Sequence, residues 1–212
     1  MKEIQVNEII EAVEKICLTA AYELGKDVED SLVNNMEKEE SAFGKYIFAQ
    51  ILENVRYSRE ESVALCQDTG AAVFFIELGQ DVHIVGGALV DAINEGVRRG
   101  YDRGYLRKSM VTDPIFNRKN TGDNTPAIIH VEVVVGDQLK IMILPKGGGS
   151  ENMGKLAMLK PSDGLKGVKK FVVDAVKEAG GNPCPPIIVG IGVGGTMEKT
   201  TILAKKALAR KI

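Results

Sequence analysis

Cysteine is scarce in this chain. There are three in 212 residues, Cys17, Cys66 and Cys184, and they stand far apart. A disulfide framework would be denser and even-numbered. A buried structural role, a nucleophile or a metal ligand remains open for each thiol. Histidine is scarcer still, with only His83 and His130. No second histidine stands at ligand spacing, and a single histidine on a strand is more often a satisfied structural residue. Charge of one sign is missing too. The formal net charge is −2, so no global field speaks for nucleic acid or an anionic membrane. Lysine and arginine are scattered, apart from a basic C-terminal segment. No apolar run approaches the roughly 20 residues of a membrane helix. The opening "MKEIQVNEIIEAVEKI" lacks the apolar core of a signal peptide. A cytoplasmic protein is expected, with neither nucleic acid nor membrane as partner. Internal repeats and low-complexity linkers are also absent.

What is present supports a real core. Hydrophobic residues make up 44% and charged residues 26%, which rules out wholesale disorder. Residues 5–24 carry Ile9, Ile10, Val13, Ile16, Cys17, Ala20 and Leu24 at helical spacing, and Gly25 stops the run. Two further helical stretches, about 28–38 and 43–57, complete a helical lobe. The texture changes near residue 60. "AAVFFIEL" reads as a buried strand, and 89–104 as a helix ending at glycine. Residues 105–126 are polar and turn-rich. "AIIHVEVVV" and "LKIMILP", joined by "GDQ", read as a hairpin. Residues 146–152 lead into a helical stretch, and a helix follows over 163–179. "PPIIVGIGVGG" reads as a strand entering a glycine turn, and the chain closes with a helix from Glu198. The fold class expected is α+β: a helical N-terminal lobe over 1–60, then a mixed sheet with covering helices over 61–212. The second region would bind any ligand, and the two regions can form one continuous domain.

Several short stretches carry possible chemistry. "GIGVGG" (190–195) satisfies the dinucleotide-loop pattern, after an apolar run and before a helix. No second strand follows, no acidic ribose ligand stands twenty residues on, and Glu198 occupies the position where a phosphate loop needs glycine. A glycine turn packing a helix closely is the plainer reading, with a nucleotide- or anion-binding module as the alternative. "KGGGS" (146–150) places three glycines between an apolar strand and a helix. Such a run suits close approach to a ligand, its amides pointing at whatever sits there, and equally suits a flexible loop tip. "NPCPP" (182–186) fixes Cys184 between prolines, a rigidity a plain core cysteine seldom needs. In "CQDTG" (66–70), Cys66 sits at an element boundary beside an amide and a carboxylate. Cys17 lies on an apolar helical stripe, where an inert buried thiol is the default. Arg107, in "YLRKS", can fork onto a carboxylate or be simply solvated.

Together, "CQDTG", "LRKS…RKNTGDNTPA", "PKGGGSEN", "NPCPP" and "GIGVGGTMEKT" resemble, in order and approximate spacing, the class I iron–sulfur fumarate hydratases and the related L-tartrate dehydratase α subunits. The resemblance runs from the N-terminal helices to the last residue. It implies a hydro-lyase subunit, or N-terminal domain, acting on a C4 dicarboxylate, with a [4Fe–4S] cluster held by three cysteines. Cys66 matches the first ligand and Cys184 the second. Gln67 and Asp68 match residues beside the bound dicarboxylate. Arg107 looks like the arginine that grips a carboxylate, and Gly148 and Gly149 look like the loop whose amides reach it. Asp68 and Arg107 are the catalytic candidates. The third cysteine of the family has no counterpart here, since Cys17 is not at its position. The resemblance therefore implies a truncated α subunit, inactive alone, whose partner is a β subunit or C-terminal domain in a homo- or hetero-oligomer.

Overall fold

The computed structural model describes residues 2–212. The chain is α+β and divides into two compact units, one of residues 1–146 with 211–212 and one of residues 147–210.

The first unit begins with a short strand, β1 (Lys2–Gln5), and helix α1 (Val6–Tyr22). Of the stripe read from the sequence, Ile9, Ile10, Val13 and Cys17 are buried, Ile16, Ala20 and Leu24 are half-buried, and Ala21, which the reading passed over, is buried in place of Ala20. Helices α2 (Lys26–Lys38) and α3 (Ala42–Glu61) follow. Ser41 caps α3 by accepting the Gly44 N–H. These two helices pack mainly on each other. No residue of α2 is buried, and α3 buries only Val55 and Ser58.

The structural centre is strand β2 (Ala71–Gly79). Its run Ala72–Val73–Phe74–Phe75–Ile76 is buried throughout, as a strand covered on both faces should be. Strand β3 (Val82–Val85) returns to pair in parallel with β1. Helix α4 (Leu89–Arg103) then lies against α1. Gly96, Gly100 and Gly104 form a stripe on α4 that makes this approach possible. A Cβ on Gly96 would stand 2.5 Å from the Val13 Cβ, and one on Gly100 would stand 2.8 Å from the Cys17 Cβ.

Strands β4 (Ile128–Val134) and β5 (Leu139–Lys146) flank β2 on opposite sides, in the order β4-β2-β5. β4 runs parallel to β2 and β5 antiparallel to it. The hairpin expected from the sequence is thus corrected: the two strands are consecutive but not neighbours. The reason is that β2, the most apolar strand, takes the central place with both faces covered. Residues 135–138 arch over its end. Gly79 N–H donates to the Gln138 carbonyl, Gln80 N–H to Val134 and Asp81 N–H to Gly136. A Cβ on Gly79 would meet the Gly136 carbonyl oxygen at 2.4 Å, so only glycine closes this arch.

Topology gathers two loops at one end of this sheet, where β5 also ends. Residues 66–70 enter β2 there, and residues 120–127 enter β4, which is parallel to it. Lys146, the last residue before the glycine run, is paired with Ala71, the first residue after "CQDTG".

The second unit holds a single helical turn, α5 (Gly148–Glu151), a 3₁₀ turn (Pro161–Asp163), helix α6 (Gly164–Ala179) and helix α7 (Met197–Ala207). The helical stretch expected after the glycine run is confined to that one turn. α7 ends before the C-terminus. Residues 187–193, expected as a strand, join no sheet among the described residues. They instead lie flat on α7. A Cβ on Gly190 would be 2.2 Å from the Ala204 carbonyl oxygen, and one on Gly192 equally close to that of Thr200. Ile187, Ile188, Val189, Ile191 and Val193 are all exposed.

Candidate functional site

The loop 66–70 is built from its buried end outward. Thr69 and Gly70 are buried while Cys66 and Gln67 are exposed, with Asp68 between. Gly70 takes φ +63°, which frees the chain to turn into β2. The Thr69 hydroxyl donates to the Arg107 carbonyl at 2.9 Å. The Tyr101 hydroxyl, on the buried face of α4, donates between the carbonyls of Thr69 and Gly70, at 3.2 and 3.4 Å. Burial first, with the nearby Asp68 carboxylate adding to it, pushes the Tyr101 phenol well above its usual range, so it is a neutral donor here.

The loop carrying Arg107 is anchored beside it. Leu106 is buried, and its N–H donates to the Tyr101 carbonyl. Lys108 Nζ reaches the same carbonyl at 3.1 Å. Asn124 joins both loops. Its Oδ1 accepts the Ser109 N–H at 2.7 Å and its Nδ2 donates to the Gly70 carbonyl at 3.1 Å. Gln67–Asp68 and the exposed Arg107 therefore emerge from adjacent, mutually hydrogen-bonded loops. The sequence alone put 38 positions between Thr69 and Arg107.

The thiols differ sharply. Cys17 is 1% exposed. Burial, with help from the Glu14 charge, raises its thiol from the ordinary 9.0 to about 12. It is neutral and inert at physiological pH. Cys66 and Cys184 are free and exposed. The Asp68 N–H points at Cys66 Sγ, 3.4 Å away, an amide–sulfur contact of the kind that supports a ligating thiolate. Cys184 takes φ +59°, a strained choice for a residue with a Cβ, held between Pro183 and Pro185. Both have the softness and access an iron–sulfur group requires. No group of three or more His, Cys, Asp or Glu side chains stands together to hold a metal ion among the described residues.

In the second unit the glycine loop meets the cysteine loop. A Cβ on Gly149 would lie 3.3 Å from the Asn182 carbonyl oxygen, two residues before Cys184. Gly148 and Gly149 are both exposed. His130 stacks on Phe75, its cross-strand partner, with ring centroids 5.1 Å apart. That is the structural role its isolation suggested.

The family model described as fumarate hydratase (fumerase) matches residues 10–212. The chain belongs to the fumarate hydratase family. The chain spans about seven-tenths of the length of the curated relatives it matches. A Methanocaldococcus jannaschii protein named as a candidate L(+)-tartrate dehydratase subunit alpha is 40% identical over 97% of this chain and 73% of its own. The L(+)-tartrate dehydratase subunits alpha of Escherichia coli K12 and Shigella sonnei are each 30% identical over all of this chain and 70% of theirs.

Two residues that brace the candidate site escaped the sequence reading. Asn124 and Tyr101 are wholly buried polar groups in contact with the first loop. Asn124 sits within "RKNTGDNTPA", a stretch noticed only as a motif. Its signal was an asparagine in a turn-rich loop, a residue able to hold φ +62°. Among the described residues no helix is long and apolar enough to cross a membrane.

Proposed function

We propose that this chain is the α part of an iron–sulfur hydro-lyase that removes water from, or adds it to, a C4 dicarboxylate. The observation that carries the reading is the clamp of Thr69 and Asn124 on the loop of Arg107. It holds the loop of Gln67 and Asp68 beside the loop of Arg107, which supports the reading that the three side chains serve one ligand.

In this reading Arg107 forks onto one substrate carboxylate, a planar match that lysine cannot reproduce. Gln67 donates its amide to the same molecule. The backbone amides at Gly148 and Gly149 take a second carboxylate oxygen, because glycine lets the chain approach closely. Asp68 lies beside the hydroxyl-bearing carbon and carries the proton that accompanies the hydroxyl. Cys66 and Cys184 would hold two corners of a [4Fe–4S] group. A third thiolate comes from outside this chain's cysteines, since Cys17 is buried in the core. Such a group supplies Lewis acidity toward the hydroxyl of a 2-hydroxy acid.

The relatives named subunits alpha support a β subunit as partner. The uncovered Ile187, Val189, Ile191 and Val193 give apolar surface for a partner to cover. Free exposed thiols fit the reducing cytoplasm.

The test is co-expression with the β subunit, anaerobic purification and a screen over fumarate, malate and tartrate. Turnover of at least one, together with bound iron and sulfide that Cys66→Ser and Cys184→Ser remove, is expected. A complex that turns over none of them, or keeps its iron in both variants, would sink the reading.

A further inference from the structure

Asn124 is fully buried, yet it spends its whole side chain on two backbone groups of other loops. An amide is the only side chain of this size that offers an acceptor to the Ser109 N–H and a donor to the Gly70 carbonyl together. A carboxylate would face that carbonyl oxygen with a buried negative charge, and leucine would leave both groups unpaired. The amide is itself held in place. Asp123, its neighbour, accepts from the Thr125 N–H and hydroxyl and from Arg98 of α4 at 3.0 Å. Asn94 of α4 accepts the Ala127 N–H at 2.8 Å. The rigid helix α4 thus fixes 123–127, and Asn124 passes that position on to the loops of Gly70 and Ser109. Thr69 closes the same loop pair by its hydroxyl on the Arg107 carbonyl.

We infer that Asn124, acting with Thr69, is a positioning residue that sets the Arg107 guanidinium in register with Gln67 and Asp68. This rests on the dicarboxylate reading above. Neither residue need touch substrate. Each constrains the backbone on both sides of the residues that do: Ser109 and the Arg107 carbonyl on one loop, Thr69 and Gly70 on the other. A bidentate fork tolerates little displacement, so loosening this link weakens substrate binding first.

Three variants test it in the complete α chain purified with its β subunit. Asn124→Gly deletes both side-chain hydrogen bonds while glycine keeps the positive φ at no strain. Thr69→Val removes only a hydroxyl at nearly constant shape, and Thr69→Ser restores it. The readouts are KM for the turned-over dicarboxylate and the calorimetric Kd of succinate, a C4 dicarboxylate that can neither gain nor lose water. Asn124→Gly and Thr69→Val are each expected to raise both by about tenfold, with a smaller change in kcat, and Thr69→Ser to recover most of that loss. A purely structural role would lower the unfolding midpoint without moving KM or Kd. Should Asn124→Gly fail to fold, the Thr69 pair decides. Wild-type KM and Kd in Thr69→Val, or no recovery in Thr69→Ser, would overturn the inference while leaving the dicarboxylate reading intact. A wild-type complex that neither turns over nor binds any C4 dicarboxylate would overturn both.

Discussion

The Thr69 hydroxyl and the Arg107 carbonyl are joined at 2.9 Å, a direct contact between the loop entering β2 and the loop leaving α4. It uses the Arg107 backbone and leaves its side chain exposed. The side chain therefore contributes little to folding and is free to serve a ligand. Arg107→Lys keeps the charge and loses the fork. The expected outcome is a KM for the dicarboxylate raised about tenfold or more. The stability to urea should move by no more than about 0.5 kcal/mol. Steady-state kinetics beside a denaturation curve separates the two effects.

The thiols predict a labelling pattern. Cys66 and Cys184 are exposed and should react with a maleimide in the native chain purified free of metal. Cys17 should react only after unfolding, so mass spectrometry should find two adducts before denaturant and three after it. The same burial gives a pH signature. The folded thiol of Cys17 titrates near 12 and the unfolded one near 9.0. Below pH 9 both states are protonated and stability is unaffected. Above it the unfolded state loses its proton first, so this site's share of stability falls as pH rises toward 12. Cys17→Ala should remove that part of the alkaline slope.

Much of this fold was legible, and the misreadings have physical causes. The stripes of α1 and α4 and the continuous apolar run of β2 are strong periodic signals, and each became the element expected. Period-two patterning identified β4 and β5 as strands but says nothing about which strands are neighbours. A short connection suggested a hairpin, while the burial needs of β2 put it between them. β1 and β3 have four residues each, too few for alternation to register. Residues 187–193 have a strand's composition, but a ladder needs a partner, and glycines 190 and 192 press the segment onto α7 instead. At the candidate site, Gln67, Asp68 and Arg107 could be named through a resemblance. Asn124 and Tyr101 could not, because a buried polar residue in a loop leaves no periodic trace. Its role appears only once the backbone groups it satisfies are known.

The α1–α4 interface should be intolerant of one methyl group. A Cβ on Gly96 would meet the Val13 Cβ at 2.5 Å, its Cγ1 at 2.6 Å and the Ile10 carbonyl at 2.8 Å. Backbone and β-branched atoms have nowhere to retreat. Alanine is the better helix former by about 1 kcal/mol, but overpacking a tight core costs about 1–3 kcal/mol or more. The steric effect wins. Gly96→Ala should lower stability by about 1–2 kcal/mol net. A Gly136→Ala control should be unlike it: that Cβ position has open space around it, and the cost there comes from φ +112°. Thermal unfolding of both variants is the check. An unchanged melting point for Gly96→Ala would mean that the helices can separate freely.

The last prediction concerns the carboxylate behind Asn124. Burial works to raise the Asp123 pKa, but hydrogen bonds from the Thr125 N–H and hydroxyl and from Arg98 outweigh it, and the group stays below its ordinary 3.8. A depressed carboxylate contributes stability that is present above the unfolded value and lost as pH falls through the folded one. Asp123→Asn removes that charge while keeping shape. At neutral pH it should cost about 1 kcal/mol, the scale of one charge-assisted hydrogen bond in a half-exposed setting. The gap between wild type and variant should hold steady from pH 7 to about pH 5, then narrow below 3.8 as the wild-type carboxyl takes up its proton. Because Asp123 braces the residue that links the loops of Gly70 and Ser109, the variant should, on the proposed function, also raise the dicarboxylate KM at neutral pH. Urea titrations across pH 3–7, with kinetics at pH 7, measure both. A stability gap that widens toward acid would show that Asp123 is not held as an anion by its partners, and an unmoved KM would detach it from the loops it braces.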